Sequence, residues 1–227
     1  MKRLLTVAVL ALAVTGCGSK NHGTPTPARI HSNNTKSSPD RSRAGTALLR
    51  LSDFPTGWAQ ARAGANDRFA TSCKQVQAAR RATTARVTEP SFGRGASANV
   101  ESIVYVFPNA ASATKAFVRL AAPDTRSCVA GDIKARAQSA PKVQAGNPTA
   151  SKLAVRNIRS DGFGFAITLP LSSGKTRAEL HQYAYFLRRG RAIAIIGMGQ
   201  EIQPFDPALQ SKLVSAAARH LEAAFAG

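Results

Sequence analysis

Glu179-Leu180-His181-Gln182-Tyr183-Ala184-Tyr185-Phe186-Leu187-Arg188-Arg189-Gly190-Arg191-Ala192-Ile193-Ala194-Ile195-Ile196-Gly197-Met198 is two strand-like runs about a turn. Aromatic and β-branched residues fill both halves, and Arg189-Gly190 punctuates them. Glu179 to Leu187 and Ala192 to Met198 are therefore expected to pair as an antiparallel hairpin.

Upstream the same pattern recurs. Leu153 to Ile158 and Phe163 to Leu169 flank Ser160-Asp161-Gly162, and Asp-Gly between such runs is a strong hairpin signal. Val100 to Phe107 is apolar on both parities with Glu101 as its only charge, as expected of a central strand covered on both faces. Thr83 to Thr88 reads as a short strand and Pro90 to Gly95 as a loop.

Helices are expected around these strands. Thr46 can cap a short one through Leu48, Leu49 and Leu51, which breaks at Asp53-Phe54-Pro55-Thr56-Gly57-Trp58. Trp58 reads as a core plug or a ligand-stacking ring. Cys73 opens a helix through Val76 and Ala79. Asn109 caps another in which Ala113, Ala116, Phe117 and Leu120 recur at helical spacing, and Asp124 to Gln138 suits a third. Asp206-Pro207 starts the last, with an acidic cap and proline at the first helical position. This order predicts an α+β fold: an antiparallel β-sheet with helices packed on one face, carrying one disulfide and a disordered N-terminal tether.

The chain begins with Lys2 and Arg3, an apolar run from Leu4 to Val14, and Val14-Thr15-Gly16-Cys17. The run is too short to span a bilayer, which takes about 20 apolar residues, and fits a cleaved export signal. Small residues before Cys17 resemble the bacterial lipobox. That resemblance implies a signal peptide over 1–16, lipid on the Cys17 sulfur and a location on the outer face of the cytoplasmic membrane; an ordinary signal with an incidental cysteine is the other reading. Residues 17–43 are rich in Gly, Ser, Thr, Asn and Pro and read as a lipid-anchored disordered linker reaching about 30 Å. Residues 44–227 are then one extracytoplasmic domain.

Without residues 1–16 the chain keeps 29 basic against 12 acidic residues, a formal +17. In the exported setting the expected partners are the membrane, through Cys17, and anionic lipid headgroups or envelope polymers, not nucleic acid. Cys73 and Cys128 remain, in a compartment where disulfides persist. They read as a bridge, or alternatively as a catalytic thiol.

Leu48-Leu49-Arg50-Leu51-Ser52-Asp53-Phe54-Pro55-Thr56-Gly57-Trp58 resembles a segment common in lipoproteins of high-GC Gram-positive bacteria. The domain also resembles the extracellular sensor-type domains of mycobacterial Ser/Thr kinases, through the strand Val100 to Phe107, the Ala-rich helix after it, Cys128 and the hairpin ending in Ile193 to Met198. The resemblance implies an antiparallel sheet flanked by helices, a groove that takes ligands, and no catalysis. Those kinase domains carry two disulfides, whereas Cys73 and Cys128 allow one here.

Catalytic patterns are incomplete. Ser112-Ala113-Thr114-Lys115 and Ser172-Ser173-Gly174-Lys175 lack the companion motifs of a penicillin-recognising enzyme, and no Gly-x-Ser-x-Gly is present. His181 and His220 stand without a metal-ligand partner in sequence, so no metal, cofactor or catalytic residue is expected. Arg188, Arg189 and Arg191 crowd one turn and form the candidate anion-binding cluster, since guanidinium forks match phosphate and carboxylate; a solvated hairpin tip is the alternative. These readings favour a non-catalytic lipoprotein that binds an envelope ligand. A carrier of lipids or other apolar molecules, and an envelope hydrolase with an unrecognised site, are the competing classes.

Overall fold

The structure, a computed structural model, describes residues 38–60, 72–95, 97–156 and 158–226. The expected export signal over 1–16, Cys17 and most of the expected 17–43 linker lie outside the described residues. Local signals set most boundaries. Helix α1 (Pro39–Thr46) starts at Ser38, whose hydroxyl accepts from Arg41 N, and is followed by a 3-10 turn at Leu51–Asp53 and the short strand β1 (Ala59–Gln60). Cys73 precedes α2 (Lys74–Arg81), and strands β2 (Ala85–Arg94) and β3 (Ala98–Val106) follow. Asn109 caps α3 (Ala110–Leu120) by accepting from Ser112 N, and Pro123 opens α4 (Pro123–Gln138). Strands β4 (Gln144–Ala145), β5 (Thr149–Ala154), β6 (Asp161–Ser173), β7 (Thr176–Arg189) and β8 (Ala192–Glu201) lead to α5 (Pro207–Phe225), capped by Asp206.

The strands form one antiparallel sheet in the order β1-β2-β3-β8-β7-β6, with β4 and β5 both on the outer edge of β6. The expected β7–β8 hairpin is present, with Arg189 opposite Ala192 and Gly190 at φ 52° in the turn. A side chain there would be strained, which is why glycine stands between two arginines. β5 pairs with β6 as expected, Ala154 opposite Phe163.

Alternation along β8 divides the core in two. Ala192, Ala194, Ile196 and Met198 face a cluster built with α1, Phe54, Trp58, Phe205 and α5, while Ile193 and Ile195 face another built with α2, α3, α4, Tyr105 and Phe186. Helices expected on one face therefore cover both. The reason lies in β3 and β8, whose large apolar residues occupy both parities and bury about 1.5–3 kcal/mol apiece only when each side is roofed. Trp58 is a core plug, its ring tilted against Phe205 with centroids 5.9 Å apart and beside Phe54.

Cys73 and Cys128 form a disulfide with Cα atoms 5.8 Å apart, joining the start of α2 to α4 within the second cluster. Three further expectations are corrected. Residues 39–43 of the expected linker belong to helix α1, across the Ala44 boundary, because Ala44 is fully buried and Asp40 is held by Arg191. The segment after Thr46 is no α-helix: Leu48 and Leu49 enter the first cluster through a bend ahead of the Leu51–Asp53 3-10 turn, and Leu49 N donates to Ser102 Oγ across 3.4 Å. Pro90 to Gly95 is mostly strand, since β2 continues to Arg94 through an irregularity between Glu89 and Phe92.

Candidate functional site

The arginine cluster does not converge. Arg188 pairs with Asp161 on β6, Arg189 with Glu222 on α5 at 3.0 Å, and Arg191 with Asp40 on α1. Arg188 and Arg189 are consecutive on a strand, so they point to opposite faces, and Arg191 lies beyond the turn. Each guanidinium thus meets its own carboxylate. The Asp40–Arg191 pair is a two-oxygen fork, with Arg191 Nη1 to Asp40 Oδ2 at 2.9 Å and a further bond to the Phe107 carbonyl at 3.2 Å. Hydrogen bonding to Arg191 holds the Asp40 carboxyl below its usual range, and Thr84 adds to this.

The histidines are structural as well. His220 Nδ1 lies 2.9 Å from the Leu48 carbonyl and Nε2 3.6 Å from Asp53, tying α5 to the 3-10 turn and the segment before it. His181 is buried between Thr168, 3.4 Å from Nδ1, and Glu179, 3.5 Å from Nε2. Hydroxyl, imidazole and carboxylate stand in the order of a hydrolytic triad, but His181 lines neither the cavity beneath α4 nor the one bounded by Glu179 and Pro170. Among the described residues no group of three His, Cys, Asp or Glu could hold a metal, and no helix is long and apolar enough to cross a membrane.

What the sequence did not single out is a cavity of about 390 Å³ between α4 and the sheet. It follows from what β8 omits. On the α4 side the strand presents Ile193 and Ile195 and then Gly197 and Gly199, so bulky side chains give way to bare backbone halfway along. Neighbouring strands change at the same level. In register with Gly199 lie Asn99 on β3 and Gln182 on β7, and in register with Gly197 lie Glu101 and Ala184. A Cβ on Gly199 would collide with Asn99 Oδ1 and Gln182 Nε2, so the two amides meet over that glycine; one on Gly197 would touch nothing within 4 Å. Glycine inside a strand often marks close approach, and here it leaves the floor open.

Helix α4 supplies the roof, through Val129, Ile133, Arg136 and Ala137. Arg136 is fixed to Asp132 one turn back at 3.0 Å, and Asp132 in turn accepts from Ser72 at 2.6 Å. The disulfide holds the same helix at Cys128. Burial raises the Glu101 carboxyl above its ordinary 4.5, with Arg136 opposing the rise. A half-buried carboxylate, a guanidinium, two amides and an aliphatic wall make a lining able to orient a small polar molecule. Two signals in sequence pointed to it: a lone acid within an apolar strand, and glycines two residues apart on one face of another.

No family model and no curated protein matches the chain. Among solved structures it is similar to the extracellular domain of PknH from Mycobacterium tuberculosis, with 12% identity over 82% of this chain and 96% of that one, at a TM-score of 0.42.

Proposed function

We propose that this chain is a non-catalytic binding protein of the cell envelope, anchored by lipid on Cys17, whose extracytoplasmic domain takes a small ligand in the cavity between α4 and the sheet. The observation that carries the binding role is the set of polar side chains, Asn99 and Gln182 at the level of Gly199 and Glu101 at that of Gly197, that line one cavity with Arg136. Glu101 and Gln182 are half-buried and Asn99 is exposed around open volume, so their polar atoms can be reached by a small bound partner. Export and anchoring are supported by Leu4 to Val14 followed by Val14-Thr15-Gly16-Cys17, and export also by the Cys73–Cys128 bridge. The mixed lining suits a polar molecule better than an acyl chain, which argues against the lipid carrier.

The test is retention. The protein and its Gly197→Leu variant are each equilibrated with the small-molecule fraction of an envelope extract, separated by filtration and analysed by mass spectrometry. A compound retained by the first and not the second is expected; identical retention profiles would discard the cavity as a binding site. Metabolic labelling with a fatty acid, compared between the native chain and Cys17→Ala, checks the anchor.

A further inference from the structure

This inference rests on the cavity being a binding site and adds the class of its ligand. The full chain carries +19, which on its own suggests an anionic ligand. The lining points elsewhere. Its charged side chains are one acid, Glu101, and one base, Arg136. Arg136 is already committed to buried Asp132 through Nη2 at 3.0 Å and, through Nε, to the Asp132 carbonyl at 3.3 Å. A ligand phosphate or carboxylate would compete with that acid while approaching Glu101, and like charges at close range in a half-buried site repel strongly. A ligand ammonium would have to shed its hydration beside Arg136, inside a strongly cationic protein.

Beside Tyr183, the remaining polar lining residues are Asn99 and Gln182, amides that both donate and accept and that meet over Gly199. Amides of this kind match hydroxyls and other amides, donor to acceptor in both directions. Glu101 accepts from hydroxyls, and Val129, Ile133 and Ile167 offer an aliphatic surface to the face of a ring. From this juxtaposition we propose that the cavity takes an uncharged, hydroxyl-rich molecule of one or two sugar rings bearing an amide group. Its hydroxyls donate to Glu101, its amide pairs with Asn99 and Gln182, and its C–H face rests on the α4 side chains.

Calorimetric titration with four probes tests this: N-acetylglucosamine and its β-linked dimer as uncharged amide sugars, glucosamine as the cation, and glucuronic acid as the anion. The uncharged pair is expected to bind, with the charged sugars weaker by about tenfold. Gly197→Leu, which fills the floor where a Cβ meets nothing, should weaken the uncharged sugars by at least about tenfold with no fall in melting temperature. Asn99→Leu serves the same purpose should that variant not fold. Glu101→Gln removes the lining's only acid and should shift preference towards glucuronic acid, a change that mere loss of packing would not produce. Tighter binding of a charged probe, abolished by Gly197→Leu, would overturn the ligand class and leave the cavity as a binding site. Sugar binding unaffected by the cavity variants would overturn both, and absence of binding by the uncharged sugars at millimolar concentration would overturn the class.

Discussion

Glu101 on β3 lies in register with Gly197 on β8, so the one charged side chain of β3 has bare backbone opposite it. The carboxylate is half-buried with open volume at its side and only Arg136 to offset its loss of water.

Glu101→Gln is expected to stabilise the protein at neutral pH. A carboxyl whose folded value is raised above its unfolded 4.5 contributes its stability below that value and loses it as pH rises through the folded one. The variant's advantage should therefore be present at pH 7 and fade below about pH 4.5, as read by melting temperature across pH.

Asp40 behaves with the opposite sign. Its carboxyl is depressed by Arg191, so its contribution is present above its ordinary 3.8 and lost as pH falls through the lower folded value. Asp40→Asn or Arg191→Ser should cost about 1–2 kcal/mol at pH 7 in urea unfolding, with the Asp40→Asn difference vanishing in strong acid. Arg189→Ser, which breaks the more exposed pair with Glu222, should cost about 0.5 kcal/mol or less.

A chain beginning at Ala44 removes most of α1 and the Asp40 carboxylate with it. It should melt lower than one beginning at Ser38, although by composition alone both contain the whole folded domain. Equal melting temperatures would return α1 to the linker.

Replacing both Cys73 and Cys128 by Ser opens a loop spanning a sequence separation of 55 residues. The loop-closure contribution is about 4 kcal/mol, an upper value because unfolded chains retain structure. Denaturant titration measures the loss, and faster amide exchange in α2 and α4 than in α5 should accompany it.

Gly197 and Gly199 should respond differently to a single methyl. Gly197→Ala meets no atom and restricts the unfolded chain, so a gain of about 0.5 kcal/mol is expected. Gly199→Ala displaces the amide ends of Asn99 and Gln182, which are flexible, so stability should change little while ligand affinity falls.

Signals that act over a few residues were legible. Asn109 and Asp206-Pro207 start their helices as written, and Arg189-Gly190 turns the hairpin, because cap and turn chemistry is local. Helix α1 was hidden because Pro39-Asp40-Arg41-Ser42-Arg43 has the composition of a tether, and what holds it is an arginine 151 positions away. The same distance effect misled the reading of Arg188, Arg189 and Arg191. Their carboxylates come from β6, α5 and α1, so a cluster in sequence became three separate clasps. The cavity escaped for another reason: it is assembled from single residues on several strands and from two positions with no side chain at all.

The two sides of the sheet carry unequal duties. One is packed by α5 and α1; the other gave up side chains at Gly197 and Gly199 and gained a covalent tie between α2 and α4. Substitutions at Gly197 or Glu101 therefore alter the hollow under α4 without touching the α5 and α1 packing on the opposite face, so the two walls of the sheet can vary independently.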